Sequence, residues 1–296
     1  MNDLHETAIA ETLTQAVVES AATARDERTR TIFTSLIEHL HAFVREVELT
    51  PDEWMTGIRF LTATGQKCDA VRQEFILLSD TIGVSMLVDA LASRNAREGT
   101  ESSVLGPFFT TDAQDVPAGG SIAKPGAGQL LFVSGQVRDT AGRPVAHAAI
   151  DVWETDGTGT YDVQYADRVE PDCRGRVYTD AGGEFHFRAV RPVSYSIPGD
   201  GPVGAMLAAL GRHTMRPAHL HFKIEAAGYM PLTTAIYAAG DPYLSGDAVF
   251  GVKASLIGEF ASHDDAAEAR ERGCEIPFFT LVRDFVLVPL GAATPA

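Results

Sequence analysis

The sequence has few cysteines, few cations and no long apolar run. Cys68, Cys173 and Cys274 are its only cysteines. They are widely spaced, odd in number and form no CxxC pair, which argues against a disulfide framework and a thiolate metal centre. Free thiols suit a reducing compartment, so the cytoplasm is the expected location. Lys and Arg total 24 against 40 Asp and Glu, a net charge of −16. Nucleic acid and anionic membranes need a cationic face, so neither is an expected partner. No stretch approaches the roughly 20 apolar residues of a membrane span, and the acidic N-terminal stretch lacks the apolar core of a signal segment. What is present, 45% hydrophobic and 22% charged residues over 296 positions, is the balance of a globular chain able to bury a core without staples.

Proline is scarce at the front and common behind: 14 of the 15 prolines lie beyond Glu98. The front reads as helix. Leu4 to Ser20 is a short amphipathic candidate. From Arg28 to Val47, the residues Ile32, Phe33, Leu36, Ile37, Leu40, Phe43, Val44 and Val47 recur at three- and four-residue steps. Thr50-Pro51-Asp52-Glu53 has the form of a helix start, with a hydroxyl cap, a first-turn proline and carboxylates at the positive dipole end. A further helix is expected over Ala70–Arg94, where Val71, Phe75, Leu78, Ile82, Met86 and Leu91 keep the period. Beyond Glu98 the pattern changes to short alternating or apolar runs between turn signals. These predict strands at Leu130–Arg138, Ala148–Glu154, Arg176–Thr179, Glu184–Val190, His219–Glu225, Leu232–Tyr237 and Thr280–Val288. A helical turn at Met206–Gly211 and a short helix at Asp264–Arg272 complete the reading. The expected fold is α+β with a mainly β catalytic domain: a helical module over residues 1–100, then an antiparallel β-sandwich over 101–296.

His219-Leu220-His221 is the first feature that points to chemistry. On a strand, positions i and i+2 share a face, so the two imidazoles project together while Leu220, Phe222 and Ile224 take the other side. Paired imidazoles can serve as a metal platform, although two such histidines can equally be hydrogen-bonded without metal. Tyr161, after the turn Asp156-Gly157-Thr158-Gly159-Thr160, and Tyr195, in the proline-bounded segment 192–198, are candidate partners. A phenol ionises near pH 10, so a tyrosinate ligand calls for a strong Lewis acid. Ferric iron is one, and hard anionic oxygen suits it. A zinc hydrolase built on His219, His221 and a carboxylate such as Glu154, and a metal-free β-sandwich binding module, are the competing readings.

Taken together, Gly106-Pro107-Phe108-Phe109, Asp151-Val152-Trp153, Gly159-Thr160-Tyr161, Tyr195-Ser196-Ile197-Pro198, Arg216-Pro217-Ala218-His219-Leu220-His221-Phe222 and Gly240-Asp241-Pro242-Tyr243-Leu244 closely resemble the intradiol ring-cleavage dioxygenases. The resemblance covers nearly the whole chain. It implies one Fe(III) per subunit, held by Tyr161, Tyr195, His219 and His221, with Tyr195 also acting in catalysis and Arg216 beside the bound substrate. It further implies a homodimer made through the N-terminal helices, with lipid at the interface as in similar proteins.

Glu74–Thr81, Glu101–Phe108, Asp151–Thr155 and Tyr161–Tyr165 look closest to the hydroxyquinol branch. This implies cleavage of hydroxyquinol by O2 between adjacent hydroxyls to 3-hydroxy-cis,cis-muconate and its tautomer maleylacetate, with catechol and chlorocatechols as alternative substrates. By resemblance the pocket is lined by Leu77, Asp80, Val104, Leu105, Gly106, Pro107, Phe108, Ile197, Pro198, Arg216 and Val249. Asp80 has its own logic, because a carboxylate can accept a hydrogen bond from a third ring hydroxyl. Two positions depart from the pattern. Ala235 stands where many relatives carry a polar residue, and Leu105 where some have an aromatic one.

Overall fold

The computed structural model describes residues 2–69, 72–96 and 98–291. The front end forms α1 (Asn2–Glu19), α2 (Glu27–Glu46) and α3 (Pro51–Lys67). Asp26 caps α2, its carboxylate accepting from the Thr29 N–H at 2.8 Å. The expected box at Thr50 forms: the Thr50 N–H donates to the Glu53 carboxylate at 2.9 Å, and the Glu53 N–H meets the Thr50 hydroxyl at 3.4 Å. Thr14 ties α1 to α2, its hydroxyl lying 2.9 Å from His41 Nδ1. Residues 1–63 cohere as one compact unit and 64–296 as another. In the first unit Ile32, Leu36, Leu40, Phe43, Trp54 and Ile58 stay substantially exposed.

The helix expected over Ala70–Arg94 is two helices, α4 (Glu74–Thr81) and α5 (Val84–Ala92), bent by 77°. Gly83 between them has φ +77°, a left-handed conformation that glycine adopts without a Cβ penalty and that stops α4. Ala70 and Val71 lie outside the described residues. Among the described residues no single helix is long and apolar enough to cross a membrane.

The β region holds β1 (Leu130–Asp139), β2 (Ala149–Trp153), β3 (Arg174–Tyr178), β4 (Glu184–Val190), β5 (Tyr195–Ser196), β6 (Met215–Arg216), β7 (His219–Glu225), β8 (Leu232–Ala238), β9 (Ile257–Gly258), β10 (Ala261–His263), β11 (Phe278–Val282) and β12 (Phe285–Leu287). One five-stranded sheet runs β10-β11-β1-β12 with β4 on the other side of β1; a second runs β3-β2-β7-β8-β9. The sheets are mixed rather than purely antiparallel. β11 and β12 both run parallel to β1, and β9 parallel to β8. The run expected at Thr280–Val288 is two strands, because the chain breaks at Arg283, whose N–H donates to the Ser134 carbonyl. The core between the sheets is filled by Leu131, Val133, Phe185 and Phe187 from one and Ile150, Val152, Leu220, Phe222 and Ile224 from the other. Each large aliphatic or aromatic side chain buried there contributes on the order of 2 kcal/mol.

Helix α6 (Pro202–Ala209) is longer than the single turn expected, with Pro202 at its start. Helix α7 (Ala266–Arg272) is capped by Asp265, which accepts from the Ala267 and Glu268 N–H groups. The two-residue ribbon β5–β6 is short, but it fixes the site: Tyr195 pairs directly with Arg216.

Candidate active site

Strand β7 divides its side chains as period two requires. Leu220, Phe222 and Ile224 enter the core, and His219 and His221 take the opposite face, where both are also buried. Registry with the neighbouring strands supplies their surroundings. Trp153 of β2 stands opposite His221 and stacks on its ring at 4.6 Å with planes 2° apart. On the other side, β8 sets Tyr237 opposite His219 and Ala235 opposite His221. Ala235 thus places a methyl group, with no hydrogen-bonding atom, beside the second imidazole.

Tyr161 is brought in by the turn before it. Asp156 organises that turn by accepting from the N–H groups of Thr158 at 2.8 Å and Thr160 at 3.2 Å. Gly159 has φ +85°, and a Cβ there would lie 3.1 Å from the Tyr195 Cβ, so glycine lets the two tyrosine segments approach. The Tyr161 ring then lies between Phe108, stacked at 4.4 Å, and the edge of Tyr195 at 5.4 Å. The two phenol oxygens are 3.4 Å apart.

Four donor atoms therefore meet. The Nε2 atoms of His219 and His221 are 3.0 Å apart. Arg216 Nη1 lies 3.3 Å from the Tyr195 oxygen and 3.3 Å from His219 Nε2. Pro217 O lies 2.7 Å from His219 Nδ1. A carbonyl only accepts, so Nδ1 carries the proton and Nε2 turns its lone pair into the cluster. Burial, reinforced by the Arg216 charge, lowers the His219 pKa to about 3, and burial likewise lowers that of His221. Both imidazoles are neutral bases. Burial, with Tyr195 alongside, raises the Tyr161 pKa, so an ionised Tyr161 requires a cation next to it. Two neutral nitrogens and two buried phenol oxygens, hard donors once ionised, fit a hard trivalent metal better than a soft or weakly acidic one.

The zinc reading does not fit. Among the described residues no three of His, Cys, Asp and Glu are grouped to hold a metal. Glu154 is fully buried and uses one oxygen to accept from the Val190 N–H at 2.8 Å, while the other is unpartnered. Burial raises its pKa well above the carboxylate range, so it is held as the neutral acid. The unfolded chain ionises this group from about pH 4.5 upward and the folded chain only at higher pH, so folding stability falls as pH rises through that interval. We expect Glu154→Gln to remove up to about 1.4 kcal/mol of that loss per pH unit. Urea unfolding of both proteins at pH 5 and pH 7 checks this, and parallel pH dependences would contradict it.

Eight of the eleven residues expected to line a substrate pocket fall on two separate cavities, both lined in part by α4, and Ile197, Val249 and Arg216 line neither of these. Leu77, Pro107, Phe108 and Pro198 line one of about 370 Å³, together with Arg72 and Glu74. Asp80, Val104, Leu105 and Gly106 line another of about 450 Å³. Ile197 and Val249 pack with Leu77, Val104, Trp153, Tyr161 and Tyr195 in one apolar cluster. Gly106 reaches the donor group: a Cβ on it would sit 3.9 Å from His221 Cε1. Asp80 is buried, with its pKa raised by desolvation against the opposing pull of Ser85 and the Arg216 charge.

Sequence reasoning missed Asp247 and Tyr237, which hold Arg216, Ser103, which holds Tyr237, and the Asp162–Arg174 pair beside Tyr161. Arg174 Nε donates to Asp162 at 2.8 Å and Nη1 to the Phe108 carbonyl at 3.1 Å, bracketing the tyrosine and the ring stacked on it. No spacing signal links these partners, because each pair comes from separate elements.

A family profile described as "Dioxygenase" matches residues 106–287, and one described as "Catechol dioxygenase N terminus" matches residues 26–100. An intradiol ring-cleavage dioxygenase of Aspergillus niger is 48% identical over 93% of this chain and 84% of its own length. The chain belongs to the intradiol ring-cleavage dioxygenases. Among members of this family, a hydroxyquinol 1,2-dioxygenase of Rhodococcus opacus is 51% identical over 86% of this chain and 84% of its own. The structure of a hydroxyquinol 1,2-dioxygenase from Pseudomonas putida superposes with a TM-score of 0.86 at 46% identity, covering 96% of this chain and all of that one. A catechol 1,2-dioxygenase from Acinetobacter radioresistens gives a TM-score of 0.85 at 27% identity, covering 97% and 94%. The intradiol fold thus extends over the helical front end as well as the β region.

Proposed function

We propose that this intradiol dioxygenase cleaves hydroxyquinol with O2 between adjacent hydroxyls, giving 3-hydroxy-cis,cis-muconate and maleylacetate. The observation that carries the reading is the meeting of two phenol oxygens and two imidazole Nε2 atoms beside a buried arginine. Tyr161, Tyr195, His219 and His221 would hold one Fe(III). The ion would ionise the phenols and draw electron density from the diol, making a ring carbon reactive toward O2. The remaining roles belong to the protein. Tyr195 takes one diol proton on its phenol oxygen. Arg216, which keeps its charge, stabilises the negative charge that develops on the ring. Asp80 accepts the third hydroxyl. Leu77, Gly106, Pro107, Phe108, Ile197, Pro198 and Val249, with Val104 and Leu105, hold a flat ring and exclude water. Both oxygens of O2 enter the product.

The substrate is favoured by relatives named hydroxyquinol 1,2-dioxygenase at 44% to 51% identity. Relatives named catechol or chlorocatechol 1,2-dioxygenase are less similar, one at 38% and those of known structure at 27% to 30%. Oxygen uptake by iron-loaded protein tests the choice. The expected result is the highest kcat/KM with hydroxyquinol; an equal or higher value with catechol or a chlorocatechol would overturn it.

Residues 1–100 serve as the dimerisation module and 101–296 as the catalytic domain. Support comes from the apolar residues left exposed on α2 and α3, which a second copy would cover. Sedimentation is expected to give twice the 31.7 kDa chain mass; a monomer at micromolar concentration would contradict the dimer. Three free thiols favour a reducing compartment such as the cytoplasm.

A further inference from the structure

We infer that Asp247 is a positioning residue for the ring-cleavage step, because it clamps one edge of the Arg216 guanidinium and turns the other edge to the reacting centre. The inference rests on the proposed function. A guanidinium has a fork on one edge, Nε and one terminal nitrogen, and a free corner opposite. Here the fork is engaged. Arg216 Nε donates to Asp247 Oδ1 at 3.0 Å and Nη2 to Oδ2 at 3.3 Å, and Nη2 also donates to the Tyr237 hydroxyl at 3.2 Å. The remaining nitrogen, Nη1, is the one that lies 3.3 Å from both the Tyr195 oxygen and His219 Nε2.

The clamp is itself fixed. Asp247 accepts from the Gly251 N–H at 2.9 Å and the Val249 N–H at 3.3 Å. The Tyr237 hydroxyl meets Ser103 Oγ at 3.0 Å, and Ser103 donates to the Gly251 carbonyl at 2.9 Å. Gly251 must lack a side chain, since a Cβ there would lie 2.6 Å from the Tyr237 hydroxyl and 3.0 Å from Arg216 Nη2. Asp247 and Arg216 are both nearly inaccessible to solvent. Without the carboxylate, a buried cation next to two neutral imidazoles and a cation site would turn away from them. The same turn that carries Asp247 also carries Val249, so the clamp joins the arginine to the pocket wall.

The test uses the iron-loaded full chain with the diol it turns over fastest, so a wrong substrate assignment does not disturb it. Asp247→Asn is expected to lower kcat by about 100-fold, the cost of misplacing a reacting group by about 1 Å. KM, iron content and the visible absorption band stay near wild type, because no metal donor is altered. In an Arg216→Gln background the same change is expected to alter kcat by less than about twofold, because Asp247 then has no guanidinium to hold, whereas an independent role would add its full loss. Wild-type kcat in folded Asp247→Asn, or a full additional loss in the Arg216→Gln background, overturns the inference. Should Asp247→Asn not fold, Tyr237→Phe carries the test. It keeps the ring and removes the Nη2 contact, with kcat expected to fall roughly tenfold at unchanged KM; an unchanged kcat overturns the inference.

Discussion

Tyr161→Phe is expected to lose the visible absorption band and most bound iron while remaining folded. The substitution removes one oxygen and keeps the ring, so the stacking on Phe108 at 4.4 Å and the edge contact with Tyr195 survive. His221→Ala is expected to have the same effect on iron, with an added stability cost of roughly 2–3 kcal/mol, because it also empties the space beside Trp153. Altering a residue that merely supports a metal ligand costs 10–100-fold, so losing a donor should lower kcat/KM by more than about 100-fold. Iron per chain and oxygen uptake measure both consequences. Wild-type iron content and turnover in either variant would refute the donor set.

Asp80→Ala is expected to change which ring the enzyme prefers. A hydrogen bond to a buried carboxylate contributes about 2 kcal/mol, so kcat/KM for hydroxyquinol should fall roughly 30-fold. Catechol has no third hydroxyl and should lose little, since nothing on it pairs with the missing group. The residue is near enough to Arg216 to feel its charge and lines a cavity with Val104, Leu105 and Gly106. Parallel assays with the two diols measure the ratio. Equal losses would mean that Asp80 supports α4 or Arg216 and does not read the substrate. Ala235, opposite His221, offers that imidazole no hydrogen-bonding side-chain atom.

Much of this architecture is readable one segment at a time. Strand β7 could be placed from Leu220, Phe222 and Ile224 alternating with two histidines, because period two decides which face each side chain takes. The start of α3 followed from the reciprocal chemistry of Thr50 and Glu53. Local patterns failed where geometry comes from contacts between distant segments. The apolar period runs unbroken from Phe75 to Leu91, so only the left-handed conformation of Gly83 marks the turn between α4 and α5. β11 and β12 sit parallel to β1 from more than a hundred residues away, a pairing that no turn signal announces. The site divides in the same way. His219 and His221 declare themselves by spacing. Tyr161 and Tyr195 drew notice by their place in glycine- and proline-bounded segments, but only the family resemblance made them ligands, since a lone tyrosine is usually a packing residue. Asp247 gave no signal, because its value lies in meeting Arg216, which is 31 residues away.

The most direct test is the visible absorption spectrum of the purified protein loaded with iron, taken alongside metal analysis. Two ionised tyrosines on Fe(III) give a charge-transfer band and a reddish solution at one iron per chain, and the account predicts both. A colourless, fully active enzyme, or one carrying a different metal at full occupancy, would contradict it.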